Sequence, residues 1–225
     1  MRILLASSNP GKLREYQALA AGRAAEFALL PNFSSLPAFD ESAHTFAENA
    51  AGKALHYSRF ATDAVIADDS GLVVPALGGA PGVSSARYAG PTATDAQRIA
   101  KLLADLLAVG AGPSARPSAP RARPSGSTAL PSTGAEAETP RPARPKARFI
   151  CALALAQQGR VLAVLSDFVE GELLAAPRGA AGFGYDPIFF FPALGQTFAE
   201  IPREEKNRIS HRGKAFAKLL HYLYI

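Results

Sequence analysis

The chain has 225 residues, 48% of them hydrophobic, which suffices for a single domain with a sizeable core. Its one cysteine, Cys151, excludes an intrachain disulfide and points to a reducing, cytoplasmic setting, and "MRILLASS" carries too short an apolar run for a signal peptide or membrane span. The net charge of +5 resides in residues 110–148, with seven Arg/Lys against two Asp/Glu; 17 basic and 17 acidic residues remain elsewhere, so no nucleic-acid partner is expected of the body.

In chain order, "RILLAS" (2–7) reads as a short buried strand, "GKLREYQALAAG" (11–22) as a helix and "EFALL" as a second strand. The junction "SSNPGK" places donors at Ser7, Ser8 and Asn9, then Pro10, a permissive Gly11 and the charge of Lys12 at a helix N-terminus, whose free N–H groups suit an anion. It lacks P-loop spacing, and a plain strand–turn–helix junction fits equally well. "HTFAENAAGKALHYSRF" (44–60) is helical, with Thr45, Asn49 and Lys53 on one face.

Next, "AVIA" and "LVVPAL" read as two strands separated by a "DDSG" turn. Burying one ionised carboxylate is costly, and two neighbours raise each other's pKa. Asp68 and Asp69 therefore call for a cation, an exposing turn, or both. Glu41 in "FDESAHTF" could add an oxygen ligand, and Mg²⁺ takes one or two carboxylates plus phosphate oxygens. The other reading is that one acid caps the turn.

"GGAPGVSSARY" (78–88) is a rigid connector whose Arg87 faces phosphate or pairs with an acid. "TDAQRIAKLLADLLA" (94–108) is an amphipathic helix with Thr94 as N-cap. Residues 110–147, almost wholly Ala, Pro, Ser, Gly, Thr and Arg, read as a disordered insertion within one domain spanning 1–225, with a basic arm for RNA or an acidic partner as the other reading. "RFICALALA" and "VLAVLSDFVEGEL" flank a "QQGR" turn, and "SHRGKAFAKLLHYL" is a closing helix capped by Ser210. Strands mixed with helices give an α/β fold. In "GAAGFGYDPIFF", Phe183 and Tyr185 either stack on a base or join the core. In "REEKNRISHRGKA", Lys206, His211 and Arg212 are either donors to a ligand or a solvated charged turn.

Four stretches together resemble the inosine/xanthosine triphosphate pyrophosphatases: "LLASSNPGKLREY", "TFAENAAGKAL", "VIADDSGLVVPALGGAPGVSSARYAG", and "PRGAAGFGYDPIFF" running into "TFAEIPREEKNRISHRGKA". The chain departs from the usual pattern at Ser7-Ser8, in place of Thr-Gly, and at Ala43, in place of Gly. The resemblance implies a long mixed central sheet flanked by helices, with a nucleotide cleft between two lobes, a homodimer and a Mg²⁺ requirement. It implies hydrolysis of ITP, dITP or XTP to the monophosphate and pyrophosphate. It assigns Ser7 to Lys12 (Ser7, Ser8, Asn9, Pro10, Gly11, Lys12), with Lys53 and Ser70, to the phosphates, Asp69 to the base and metal, and Glu41 to the metal. The resemblance also places Phe183, Gly184, Tyr185, Asp186, Lys206, His211 and Arg212 in the nucleoside pocket. Donors such as Arg212 or a protonated His211 would favour a base carrying O6. The related Maf-type pyrophosphatases also open with a strand into "LAS", but their Ser-Pro-Arg-Arg continuation is missing here.

Overall fold

The first three strands set the frame. β1 (Arg2–Leu5) lies between β2 (Glu26–Leu29) and β3 (Ala64–Val73), parallel to both. β4 (Lys146–Gln157), β5 (Arg160–Leu173), β6 (Phe189–Phe191) and β7 (Gln196–Thr197) continue the sheet antiparallel, giving seven strands in the order β2-β1-β3-β4-β5-β6-β7. The helices are α1 (Pro10–Leu19), α2 (Phe46–Tyr57), α3 (Asp95–Gly110), α4 (Arg203–Ile209) and α5 (His211–Tyr222). This computed structural model describes residues 1–110 and 144–224, and the mixed α/β sheet is the expected fold class.

Alternation along β4 decides which helix packs where. Leu153 and Leu155 face a cluster with Ile3, Tyr16 of α1 and Phe216 of α5. On the opposite face Ala152, Ala154 and Ala156 meet Ala50 and Ala54 of α2, and small side chains on both partners let that helix lie close. A third cluster joins Leu72, Phe149 and Phe189 to Ile99 and Leu102 of α3.

Two boundaries differ from expectation. The "DDSG" stretch is no turn: β3 runs unbroken, and Asp68, Asp69 and Ser70 pair with Leu153, Ala152 and Cys151. Full ladder bonding on the β4 side outweighs the turn propensity of Asp, Ser and Gly. Gly71 keeps the strand there, since a Cβ would strike the Ser85 hydroxyl and the Gly82 carbonyl. At the proposed insertion, Gly110 belongs to α3 and Lys146–Ala147 to β4, where Lys146 pairs with Glu172 across the ladder at 2.7 Å. Arg144 and Pro145 are also described, Arg144 meeting Glu172 at 3.7 Å and the Pro145 carbonyl accepting from the Leu173 amide at 2.8 Å, so the disorder expected of the insertion otherwise falls on residues 111–143, outside those described.

Candidate active site

β3 outruns β1. The last register pair is Leu5 with Ile66, and the Ala6 amide closes onto the Ile66 carbonyl at 2.9 Å. Past that point β1 turns into the loop entering α1, leaving space beside Asp68 to Ser70. β1 pairs with β2 on one side and β3 on the other while its own connection runs outward through α1 to β2, so the strand order reverses here, and such carboxyl-end crevices of open sheets bind ligands. A cleft of about 430 Å³ opens there.

Its lining unites distant stretches of chain: Ser7, Ser8, Asn9 and Lys12; Lys53 and Ser70; Phe183, Gly184, Tyr185 and Asp186; Lys206, His211 and Arg212. Pro10 and Gly11 belong to the first turn of α1, and Asp69 and Glu41 neighbour Lys53 without lining the cleft. The entry to α1 is more self-contained than expected. Asn9 Oδ1 accepts from the Gly11 amide at 2.8 Å and the Lys12 amide at 3.4 Å, and the Asn9 amide donates to Ser7 Oγ at 3.1 Å. The N-cap thus consumes N–H groups assigned to an anion.

Strand alternation sends the adjacent acids to opposite faces. Asp68, 2% exposed, takes Lys12 Nζ at 2.9 Å, the Ser70 hydroxyl at 3.1 Å and Arg212 Nε at 3.5 Å. Burial alone would raise its carboxyl; Lys12 and Arg212 overcome that and hold it well below the ordinary carboxylate range. Asp69 turns toward α2, where its partner is the neutral Asn49 amide at 2.9 Å. Burial first, then the negative charges of Glu41 and Asp68, push it up to about 6 against the pull of Asn49 and Lys12. Asn49 is itself fixed by the 41–45 loop, accepting from the Ala43 amide at 3.0 Å.

Pairing around the cleft leaves one acid over. Lys12 pairs with Asp68, Lys53 with Glu41, Arg98 with Asp95, Lys206 with Asp186 and Arg212 with Glu15. Among the described residues five cations meet five carboxylates, and Asp69 is the sixth acid.

Of the two readings of 203–215, the solvated turn fails at the three candidate donors. Arg203, Glu204, Arg208 and Lys214 are exposed, but the stretch forms α4 and the start of α5 and turns those three inward. Lys206, His211 and Arg212 are 7%, 6% and 4% exposed. Asp186 accepts from Lys206 Nζ at 2.5 Å and from the Phe183 amide at 2.9 Å, which pins the 182–186 loop onto α4. Gly182, at φ +76°, leaves room for that carboxylate. A protonated His211 is overturned: burial, then Arg212 and Lys206, hold its pKa well below the usual histidine value, so the ring is neutral and stacks on Phe149 at 4.8 Å. Tyr185 is core, its hydroxyl donating to the Ser85 carbonyl at 3.0 Å, while Phe183 stays 37% exposed. Arg87 meets the Glu41 carbonyl oxygen at 3.1 Å instead of facing phosphate or an acid side chain. Sequence reasoning missed Glu15, whose partner Arg212 is remote in the chain, and the neighbouring Asp95 and Arg98 of α3, of which Asp95 reaches the remote Gly184 amide.

Among the described residues no three metal-ligating side chains gather at one point. Residues 3–123 and 126–222 match the Ham1 family. A dITP/XTP pyrophosphatase of Geobacillus kaustophilus is 46% identical over 96% of this chain and 91% of its own, and that of Gloeobacter violaceus is 44% identical over 97% and 92%. The structure of a HAM1 protein from Coxiella burnetii superposes with a TM-score of 0.77 at 37% identity, covering 100% of this chain and 98% of that one, and the Staphylococcus aureus Ham1 protein with 0.75 at 31%, with the same coverage. The Maf reading finds no support in these matches. On sequence and fold alike, the chain belongs to the Ham1 family.

Proposed function

We propose that this protein hydrolyses noncanonical purine nucleoside triphosphates, ITP, dITP and XTP, to the monophosphate and pyrophosphate, as a cytoplasmic homodimer using Mg²⁺. The observation carrying the reading is the uncompensated Asp69, with its raised pKa, near Lys53 at the edge of a cleft whose other described charges pair off. Relatives named dITP/XTP pyrophosphatase that match nearly the whole chain supply the substrate class.

The donor set fits magnesium. Five cations against six carboxylates leave the cleft without net positive charge for a triphosphate, and Glu41 and Asp69 are the oxygen ligands on offer. Bound there, the ion would offset charge on the phosphate oxygens. Lys53 sits between the two acids; burial opposes its charge, but Glu41, Asp68 and Asp69 keep it protonated, ready to meet phosphate. Lys12, with Ser7 and Ser8, lines the other wall, holding the chain of phosphates in line.

Water attacks the α-phosphorus as the bond to the α–β bridging oxygen breaks and pyrophosphate departs. Asp69 accepts the proton of that water; a carboxylate near 6 is ionised at neutral pH yet basic enough to help. Phe183 offers its ring to the base.

The test is a panel of ITP, dITP, XTP, ATP and GTP with Mg²⁺, scored for pyrophosphate against orthophosphate. Pyrophosphate from the first three is expected. Orthophosphate, or no turnover of ITP, would overturn the proposal.

A further inference from the structure

Asn49 stands in an alanine-rich helical stretch, "FAENAAGKAL", where asparagine is a poorer helix former than its neighbours. It is also buried, at 1% exposed, so its side chain must find partners inside the protein. Its Oδ1 accepts from the Ala43 amide at 3.0 Å, and its Nδ2 donates to Asp69 Oδ2 at 2.9 Å and to the Ala43 carbonyl at 3.4 Å. The Ala43 N–H can only donate, which leaves the carboxamide one workable orientation. Turned over, it would set an NH₂ against that N–H and a carbonyl against a carboxylate.

Among the described residues Asn49 is the one side chain that hydrogen-bonds both to Asp69 and to the loop carrying Glu41. The other ties on that loop do not reach Asp69: Lys53 holds the Glu41 carboxylate, Arg87 donates to the Glu41 carbonyl oxygen at 3.1 Å, and Tyr57 Oη accepts from the Phe39 amide at 3.3 Å. Asp69 Oδ2 is thus engaged, while among the described residues no donor meets Oδ1.

We propose that Asn49 is a positioning residue for the hydrolysis. By engaging Oδ2 it turns Asp69 so that Oδ1 is the oxygen presented to the attacking water. By gripping residue 43 it makes that orientation depend on the loop carrying Glu41. Misplacing a reacting group by about 1 Å can cost about 100-fold in rate, which sets the scale of such a tie. This rests on Asp69 acting as the base.

The test is a double-mutant cycle on the full chain. Asn49→Leu, similar in size, and Asn49→Ala, which favours the helix, are each made in wild type and in Asp69→Asn. With ITP and Mg²⁺, either substitution is expected to lower kcat about ten-fold or more in wild type, with KM within about three-fold, but by less than about two-fold in the Asp69→Asn background. A merely structural role, partial misfolding included, would lower both backgrounds by the same factor, and that result would overturn the proposal. So would kcat within about two-fold of wild type for both substitutions. Hydrogen exchange of the Ala43 amide, followed by NMR without nucleotide or metal, reads the tie itself. Exchange about ten-fold faster is expected in both Asn49 variants, and wild-type protection would overturn the link to the loop. Absence of pyrophosphate from wild type would instead sink the proposed reaction, with the exchange rate still deciding whether Asn49 holds the loop.

Discussion

Replacing Asp69 with Asn should stabilise the protein while disabling it. Burial, reinforced by Glu41 and Asp68, raises this carboxyl from 3.8 to about 6 in the folded state. A gap of about 2 units corresponds to about 3 kcal/mol. The folded protein holds this proton more tightly than the unfolded chain does. The cost is therefore absent below the unfolded value of 3.8, accumulates as pH rises, and is complete above about 6. Asparagine has no charge to bury, and its carbonyl still accepts from Asn49. In a chelating buffer, urea unfolding should show Asp69→Asn more stable than wild type at pH 8 by up to about 3 kcal/mol, with the difference closing by about pH 4. Pyrophosphate release from ITP should fall by about 100-fold or more. A variant less stable than wild type at pH 8, or a difference that ignores pH, would refute the electrostatic account. Activity within a few-fold of wild type would remove Asp69 as the base.

Lys12→Met leaves buried Asp68 to Arg212 and Ser70 alone and should cost about 3 kcal/mol in denaturant unfolding, part of it recovered by adding Asp68→Asn. Glu15→Gln removes the charge opposite Arg212 and should cost about 2 kcal/mol by the same measurement, with a fall in kcat/KM for ITP. Phe183→Ala should raise KM for ITP about ten-fold and leave the thermal midpoint nearly unchanged, because the ring is exposed and the loop is held by Asp186 instead.

Periodicity carried most of the fold. "GKLREYQALAAG" and "TDAQRIAKLLADLLA" give α1 and α3, and "QQGR" gives the β4–β5 turn, with Gln158 and Gly159 both at positive φ. The "DDSG" stretch misled because turn propensity is local, while the pairing of Asp68 to Ser70 with 151–153 comes from strands far apart in sequence. The cleft was legible where residue types cluster, as in "SSNPGK" and "GFGYD". It was illegible where a charge sits on an amphipathic helix. Glu15 on α1 meets Arg212 across 197 positions, and Asp95 on α3 meets Gly184 across 89. From sequence, such charges look like a solvated helix face.

The adjacent acids owe their division of labour to a strand's two-residue period. Had residues 68–71 formed the expected turn, both carboxylates would face the same solvent and titrate alike. Held in β3, each samples a different layer. Asp68 looks toward α1 and α5, which supply Lys12 and Arg212, and is stabilised as a permanent anion that fixes those two cations. Asp69 looks toward α2, which supplies a neutral amide and, through Lys53, the charge of Glu41, so its proton stays within reach of neutral chemistry. Shifting the β3–β4 register by one residue would exchange the two environments. Asp69 would then be the clamped anion and Asp68 the base. The continuity of β3, fixed by its pairing to β4 and by the bare Cα of Gly71, is thus the structural fact from which the chemistry follows.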